Sequence, residues 1–156
     1  MLLANIPRLP LAHLPTPLEP LPRLSAHLGG PRILVKRDDC TGLAGGGNKT
    51  RKLEFLMAEA RDQGADTVVT IGGVQSNHVR QTAAAAAKTG LSCHLVLARA
   101  VPWDEPAYEV SGNVQLDHLL GAQVHLLPGG TDRAGALRRI EKALRSQGRN
   151  PYIIPT

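Results

Sequence analysis

Gly45-Gly46-Gly47-Asn48-Lys49-Thr50-Arg51-Lys52-Leu53-Glu54 is the stretch that decides the fold of this chain. Its glycines lead a lysine into the first turn of an amphipathic helix. The apolar residues of that helix recur at three- and four-residue spacing, at Leu53, Leu56, Met57 and Ala60. Gly64 marks the expected end of the helix. A lysine in the first turn lies beside the partial positive charge of the helix N-terminus, which disfavours its ammonium form.

Lys49 is therefore a candidate nucleophile. Partial burial would lower its pKa further and leave a neutral amine that attacks a carbonyl. This chemistry indicates a Schiff-base lysine, and hence pyridoxal 5'-phosphate as the cofactor. Spacing alone leaves two other interpretations open: a solvated lysine at a helix start, and a nucleotide-binding P-loop. The P-loop pattern needs the lysine directly after its last glycine, whereas Asn48 separates Gly47 from Lys49.

The composition favours one globular domain without a nucleic-acid partner. The chain has 156 residues, of which 42% are hydrophobic and 20% charged. Its 18 Lys and Arg against 13 Asp and Glu give a net charge of +5, which suits nucleic acid or a small anionic ligand. The basic residues are dispersed, however, and few aromatic residues are available for base stacking. The densest basic group lies on a predicted helix, at Arg138, Arg139, Lys142 and Arg145.

The cysteines and the N-terminal prolines indicate the cellular compartment in which we expect the protein. Cys40 and Cys93 form no disulfide framework, which suits a reducing, cytoplasmic compartment. No second cysteine or histidine follows Cys40 at metal-site spacing, so we predict no metal site. Prolines at positions 7, 10, 15 and 17 interrupt the N-terminal stretch. We therefore expect neither a signal peptide nor a membrane-spanning helix.

Apolar strands alternate with helices along most of the chain. Residues 1–31 are rich in proline and predict an extended arm with a short turn or helix at 21–28. The predicted strands are 33–36, 67–71, 92–98, 123–127 and 152–154, and the later helices are 77–88, 113–120 and 132–147. Strands that are apolar throughout and alternate with helices predict an α/β fold with a parallel sheet flanked by helices.

A second candidate site, Gly72-Gly73-Val74-Gln75-Ser76-Asn77-His78, follows the 67–71 strand. Ligands of open α/β sheets bind beyond the carboxyl ends of the strands, where helix N-termini hold anions. Ser76, Asn77 and the local backbone amides are therefore candidates for binding a carboxylate. Either residue alone is more often a helix cap, and His78 by position alone is a capping or surface histidine.

Together, the two segments resemble the D-cysteine desulfhydrase family of pyridoxal-phosphate enzymes. That family includes L-cysteate sulfo-lyase and aminocyclopropane-carboxylate deaminase, and its members have the tryptophan-synthase-β-like fold, fold type II. The matching stretches are 13–19, 36–39, 46–54, 75–83 and 151–155. The resemblance implies pyridoxal 5'-phosphate as the cofactor.

The resemblance also implies which residues bind the cofactor. Lys49 matches the lysine that forms the Schiff base and shuttles the substrate proton. Asn77 matches the asparagine that hydrogen-bonds the ring hydroxyl of the cofactor, and Asn48 is expected beside it. Lys52 matches a lysine placed toward the cofactor phosphate.

The substrate side of the site is implied in the same way. Ser76 matches a catalytic serine near the substrate carboxylate and the reacting carbon. Gln75, Asn77 and His78 line the same turn and are expected to contact a small amino-acid substrate.

The activity implied by the resemblance is α,β-elimination on a small sulfur amino acid. D-cysteine, giving pyruvate, sulfide and ammonia, is the first expectation. L-cysteate sulfo-lyase follows, because residues 39–44 also resemble that enzyme, and aminocyclopropane-carboxylate deaminase is third. The alternative from another class is a catalytically silent remnant or a split subunit.

Members of this family are longer, and their second half supplies further cofactor contacts. We therefore expect a truncated form. Residues 1–48 would be an N-terminal arm that belongs to the larger domain, and residues 49–156 the smaller α/β domain with the Schiff-base lysine. The rest of the larger domain would be absent. Because the arm would lack strands to join, we expect a homodimer or association with a complementary half.

Overall fold

A parallel sheet lies between two layers of helices in the computed structural model, which describes residues 5–156. The strands are Leu18–Pro20 (β1), Leu34–Lys36 (β2), Thr67–Gly73 (β3), Ser92–Ala98 (β4), Gln123–Leu127 (β5) and Pro151–Ile153 (β6). The helices are Pro22–Leu28 (α1), Lys49–Asp62 (α2), Asn77–Thr89 (α3), Asn113–Leu119 (α4) and Arg133–Ser146 (α5). Short 3-10 turns occupy Asp38–Thr41, Leu43–Gly45 and Pro106–Glu109.

The four strands β3 to β6 form the parallel sheet in the order β5-β4-β3-β6. The chain steps from β3 to β4 to β5 through α3 and α4, which pack against each other. It then returns through α5 to β6 on the far side of β3. Because such crossovers are right-handed, this reversal places α5 on the opposite face from α3 and α4. Both faces of the sheet are covered, as the apolar strands predict.

Strand residues alternate between the two helical layers. Val68, Leu95 and Leu97 are fully buried in one core with the alanines of α3. Ala83–Ala86 are also buried, and their small side chains let α3 approach the sheet closely. Val69 and Val96 alternate with the first set and therefore face α5.

The N-terminal arm forms a separate antiparallel ribbon of β1 and β2 around α1. Two carboxylates tie this arm to α2. Buried Glu54 accepts hydrogen bonds from the backbone amides of Leu11 (2.9 Å) and Ala12 (3.0 Å). Asp38 accepts from Nε of Arg51 at 2.6 Å and from Nη2 at 2.7 Å, and this guanidinium lowers the pKa of Asp38 to about 2.

The element boundaries follow the sequence prediction closely outside the arm. Both β4 and β5 have the predicted bounds, while β6 begins one residue earlier than predicted. Asp132 and Gln147 lie outside α5, as the residues that flank its ends. The arm differs more, because Leu18–Pro20 is a strand paired with β2 instead of unpaired extended chain.

The helices are short. The longest helices that the structure describes, α2 and α5, have 14 residues each. Within residues 5–156, no helix combines the length and the apolar character needed to cross a bilayer.

Candidate active site

A cleft of about 530 Å³ opens at the carboxyl end of β3, where ligands of α/β sheets bind. The first turns of α2 and α5 and the turn after β3 form its walls. Four of the predicted site residues line it together: Lys49, Lys52, Ser76 and His78. The remaining lining residues are Ile71, Gly72, Arg133, Ala134, Leu137 and Thr156.

The glycine-rich loop is held by a buried polar network. Gly47 has φ +138°, and a Cβ there would lie 2.6 Å from Oε1 of Gln81, so the position requires glycine. Nε2 of Gln81 donates to the Gly47 carbonyl at 3.1 Å, and Oε1 of Gln81 accepts from the Lys49 amide at 3.2 Å. On the other side, the Thr41 hydroxyl donates to the Gly47 carbonyl (2.8 Å) and accepts from its amide (2.9 Å). Helix α3 thus fixes the backbone that carries Lys49.

Lys49 is the first residue of α2, and its side chain is half-buried. Its Nζ donates to Oδ1 of Asn48 at 3.1 Å. One turn further along α2, Nζ of Lys52 donates to the Pro155 carbonyl at 2.6 Å. Burial first, and then the positive charge of Lys49, lowers the pKa of Lys52 below its ordinary value.

Ser76 serves as the N-cap of α3. Its Oγ accepts a hydrogen bond from the Val79 amide at 3.3 Å, which confirms the capping interpretation of this serine. The same residue lines the cleft, so capping and ligand binding are compatible. Gly72 permits the tight turn, because a Cβ there would lie 2.8 Å from Oγ of Ser76.

His78 is 8% exposed and faces the sheet. Its Nε2 lies 2.9 Å from the Thr70 hydroxyl, which also lies 2.9 Å from the Ile154 carbonyl. A carbonyl only accepts, so Thr70 spends its single proton on Ile154, and Nε2 of His78 must be the donor to Thr70. Nδ1 then carries the lone pair, and it is buried with no hydrogen-bond partner in the described part of the chain. Burial first, and then the charges of Lys52 and Lys49, lower the pKa of His78 to about 4.

Gln75 and Asn77 turn toward the 108–113 segment. Nε2 of Gln75 donates to the carbonyls of Tyr108 (2.6 Å) and Ser111 (3.0 Å). Oδ1 of Asn77 accepts from Nδ2 of Asn113 at 3.0 Å, and the Asn77 side chain is exposed. The structure thus places Lys49, Lys52, Ser76 and His78 around the cleft, while Gln75 and Asn77 join its turn to α4.

Sequence reasoning missed the residues that support this site. Arg80, Gln81 and Asn113 link the two predicted segments, since Arg80 donates to the Gly46 carbonyl at 2.8 Å and to Oδ1 of Asn113 at 3.0 Å. The local signal was the polar pair Arg80-Gln81, which lies shortly before the alanine run of α3. Asn113 lies far along the chain and gave no signal.

The lining residues fit pyridoxal 5'-phosphate by their chemistry. Lys49 supplies an amine for an aldehyde, and Lys52 and Arg133 supply positive charge for a phosphate. Ser76 and the start of α3 offer hydrogen-bond donors for a carboxylate. No acidic side chain is among the described residues that line the cleft.

Comparison with known proteins agrees with this fit. Residues 9–156 match the family model described as pyridoxal-phosphate dependent enzyme. Two curated relatives, from Burkholderia ambifaria and Burkholderia multivorans, are both named 1-aminocyclopropane-1-carboxylate deaminase. Each is 52% identical to this chain over 160 residues, a match that covers 99% of the chain and 47% of the relative.

Solved structures give the same fold. A crystal structure described as an ACC deaminase homologue superposes with a TM-score of 0.85 at 40% identity, covering 98% of this chain and 45% of its own. A hydrogen sulfide-producing enzyme from Fusobacterium nucleatum superposes with a TM-score of 0.67 over 92% of this chain and 44% of its own. At 18% identity it supports the fold alone. The chain spans about half the length of the curated relatives it matches, and it belongs to the family of pyridoxal-phosphate dependent enzymes, with their fold type II architecture.

Proposed function

We propose that this chain carries the cofactor lysine and the substrate-binding turn of a lyase that acts on a small amino acid. The observation that carries the proposal is the convergence of Lys49, Lys52, Ser76 and His78 on one cleft at the end of the sheet. An amine, positive charge and a helix N-terminus are the groups that an aldehyde, a phosphate and a carboxylate require.

On this proposal, Lys49 holds the cofactor covalently through its amine. Lys52 faces the phosphate, Asn77 donates to the ring oxygen, and Asn48 keeps the Lys49 amine in place through its 3.1 Å contact. When bound, pyridoxal phosphate supplies an electron sink for negative charge that develops on the substrate. The buried network of Gln81 and Thr41 keeps the lysine backbone from moving as its side chain exchanges partners.

The substrate is held by the turn that begins α3. Ser76 and the backbone amides of this turn bind the substrate carboxylate, where the partial positive charge of the helix N-terminus favours an anion. The Ser76 hydroxyl lies next to the reacting carbon and donates or accepts a proton there. Gln75 holds the turn in place through its hydrogen bonds to the carbonyls of Tyr108 and Ser111. His78 is neutral because its pKa is about 4, so it adds no charge to the site.

Lys49 also moves a proton. With D-cysteine or L-cysteate, Nζ of Lys49 would accept the α-proton of the substrate. With aminocyclopropane-carboxylate, whose carbon 1 bears no hydrogen, it would move a proton at another ring carbon instead.

The names of the relatives favour 1-aminocyclopropane-1-carboxylate as the substrate, with D-cysteine and L-cysteate as alternatives. The three differ at the α-carbon. Carbon 1 of aminocyclopropane-carboxylate bears no hydrogen, so a ring C–C bond must break, and water then gives 2-oxobutanoate and ammonia. D-cysteine loses its α-proton and its sulfur, and water gives pyruvate, sulfide and ammonia. L-cysteate gives sulfite in place of sulfide.

Product analysis tests this proposal. The 156-residue chain is incubated with pyridoxal phosphate and with each amino acid, and keto acid, sulfide and sulfite are measured. We expect 2-oxobutanoate from aminocyclopropane-carboxylate, lost in Lys49→Ala and kept in Lys142→Ala, an exposed lysine on α5. Pyruvate with sulfide would instead indicate D-cysteine as the substrate, and pyruvate with sulfite would indicate L-cysteate. A cofactor adduct without any keto acid would support the alternative of a catalytically silent remnant or split subunit.

We further propose that residues 1–48 belong with a larger domain and that residues 49–156 form the smaller domain. Residues 1–4 lie outside the described part. The supporting observation is apolar exposure in the arm, where Leu18 is 59% and Leu28 61% exposed although both are large apolar side chains. A complementary half or a second copy of this chain would cover that surface.

A further inference from the structure

Asn113, the first residue of α4, lies between the two segments of the cleft and contacts both of them. Its Oδ1 accepts from Nη1 of Arg80 at 3.0 Å, and its Nδ2 donates to the Gln75 carbonyl at 2.8 Å. A guanidinium only donates and a backbone carbonyl only accepts, so the two ends of the Asn113 amide cannot be exchanged.

The neighbouring amide of Gln75 is fixed by the same logic. Its Nε2 donates to the carbonyls of Tyr108 and Ser111, and its Oε1 accepts from the Asn113 backbone amide at 2.8 Å. The hydrogen-bond partners of Asn113 and Gln75 therefore fix which end of each side-chain amide is the oxygen and which is the nitrogen.

Asn77 receives its orientation from this support. The second hydrogen of Nδ2 of Asn113 is donated to Oδ1 of Asn77 at 3.0 Å. This contact occupies the oxygen of the exposed Asn77 amide and leaves its NH2 group available as a donor. We infer that Asn113 is a positioning residue that sets Asn77 as a hydrogen-bond donor between Ser76 and His78, the two neighbours that line the cleft.

The inference rests on the proposed function in one respect, the identity of the atom that receives this bond. The ring hydroxyl of pyridoxal phosphate carries negative charge when ionised, and only the NH2 end of an amide stabilises it. An Asn77 turned by 180° would present its oxygen and repel that atom. Arg80 adds a link to the lysine, because the guanidinium that fixes Asn113 also donates to the Gly46 carbonyl at 2.8 Å.

Nuclear magnetic resonance of the ligand-free chain tests the orientation. In Asn113→Asp the new carboxylate only accepts, so Asn77 must rotate and donate its NH2 to it. We expect the Asn77 side-chain amide resonances to shift and to exchange more slowly with water. Asn113→Ala, which offers no partner, should instead give averaged resonances. The matched control is Asn150→Asp, since Nδ2 of Asn150 also donates to two carbonyls, those of Gln63 and Gly64. Asn77 resonances that do not move in Asn113→Asp overturn the inference.

Cofactor binding tests the receiving atom. We expect Asn113→Asp to weaken binding of pyridoxal phosphate at least about tenfold, as for a lost bond to a charged group, but to leave binding of 3-deoxypyridoxal phosphate nearly unchanged. An equal loss for both compounds overturns the assignment to the ring oxygen. If the unaltered chain binds neither compound, the proposed function fails, and the resonance measurement still decides the orientation of Asn77.

Discussion

Asp117 is a carboxyl group enclosed in the described core. It is fully buried on α4, and neither of its carboxylate oxygens has a hydrogen-bond partner within residues 5–156. Burial raises the pKa of Asp117 to about 7, although the nearby Arg80 opposes the shift. The same surroundings raise the pKa of the Cys93 thiol to about 12. The folded chain therefore holds a proton on Asp117 that the unfolded chain releases above about pH 4.

Replacing Asp117 by asparagine should remove this pH dependence. Because the folded pKa is raised, the wild-type chain loses stability as the pH rises from about 4 to 7. We expect the stability of Asp117→Asn, relative to wild type, to rise by about 1.4 kcal/mol per pH unit across that range. Urea unfolding at pH 4.5, 5.5 and 6.5 measures it. A difference that stays constant with pH would contradict the account.

His78 has the opposite dependence. Its folded pKa of about 4 lies below the ordinary value of 6.5, so its contribution to stability is present above pH 6.5 and is lost as the pH falls. Relative to wild type, His78→Gln should gain about 3 kcal/mol between pH 6.5 and 4. Denaturant unfolding of both proteins tests this. Nuclear magnetic resonance of the His78 ring gives an independent measurement, and a titration midpoint above pH 6 would argue against the buried, neutral ring.

The N-terminus of α3 has two roles, as a helix start and as a cleft wall. Ser76→Ala removes the cap and should cost about 1 kcal/mol of stability. Ser76→Asp keeps a capping oxygen and should fold as stably as wild type, but its negative charge would repel an anion in the cleft. Thermal unfolding measures the capping role, and titration of the pyridoxal-phosphate-loaded chain with aminocyclopropane-carboxylate measures binding of the substrate carboxylate. If Ser76→Asp binds the substrate as tightly as wild type, Ser76 does not contact the substrate carboxylate.

The strands and helices around the parallel sheet were predictable because short stretches of sequence specify each of them. The apolar run 67–71, the alanines of α3 and the glycines after helices specify them without long-range information. β1 was missed because Leu18-Glu19-Pro20 is short, contains a proline and becomes a strand only by pairing with β2. Asn113 and Arg80 were missed for the same reason, since their roles depend on contacts that cross more than thirty residues.

At the scale of the whole molecule, the N-terminal arm is attached to helix α2, which carries Lys49. Glu54 is 1% exposed, and Arg8 pairs with it at 3.2 Å in addition to the two backbone amides. Loss of this carboxylate leaves the amides of Leu11 and Ala12 unpaired at a buried site, which is costly.

Glu54→Ala should therefore destabilise the chain by about 2–4 kcal/mol and make the arm sensitive to proteases. Glu59→Ala is the matched control, because Glu59 lies on the exposed face of the same helix and its carboxylate contacts Gln63 and Tyr152, not the arm. Urea unfolding and limited proteolysis measure the two effects. Equal behaviour of the two variants would show that the arm is held by other contacts.

The most direct measurement is mass spectrometry of the chain after treatment with pyridoxal phosphate and borohydride. The account predicts one reduced pyridoxyl group on the peptide that contains Lys49, and its absence in Lys49→Ala. Labelling spread over surface lysines, or placed on Lys52 with Lys49 unmodified, would contradict the assignment of Lys49 as the residue that holds the cofactor.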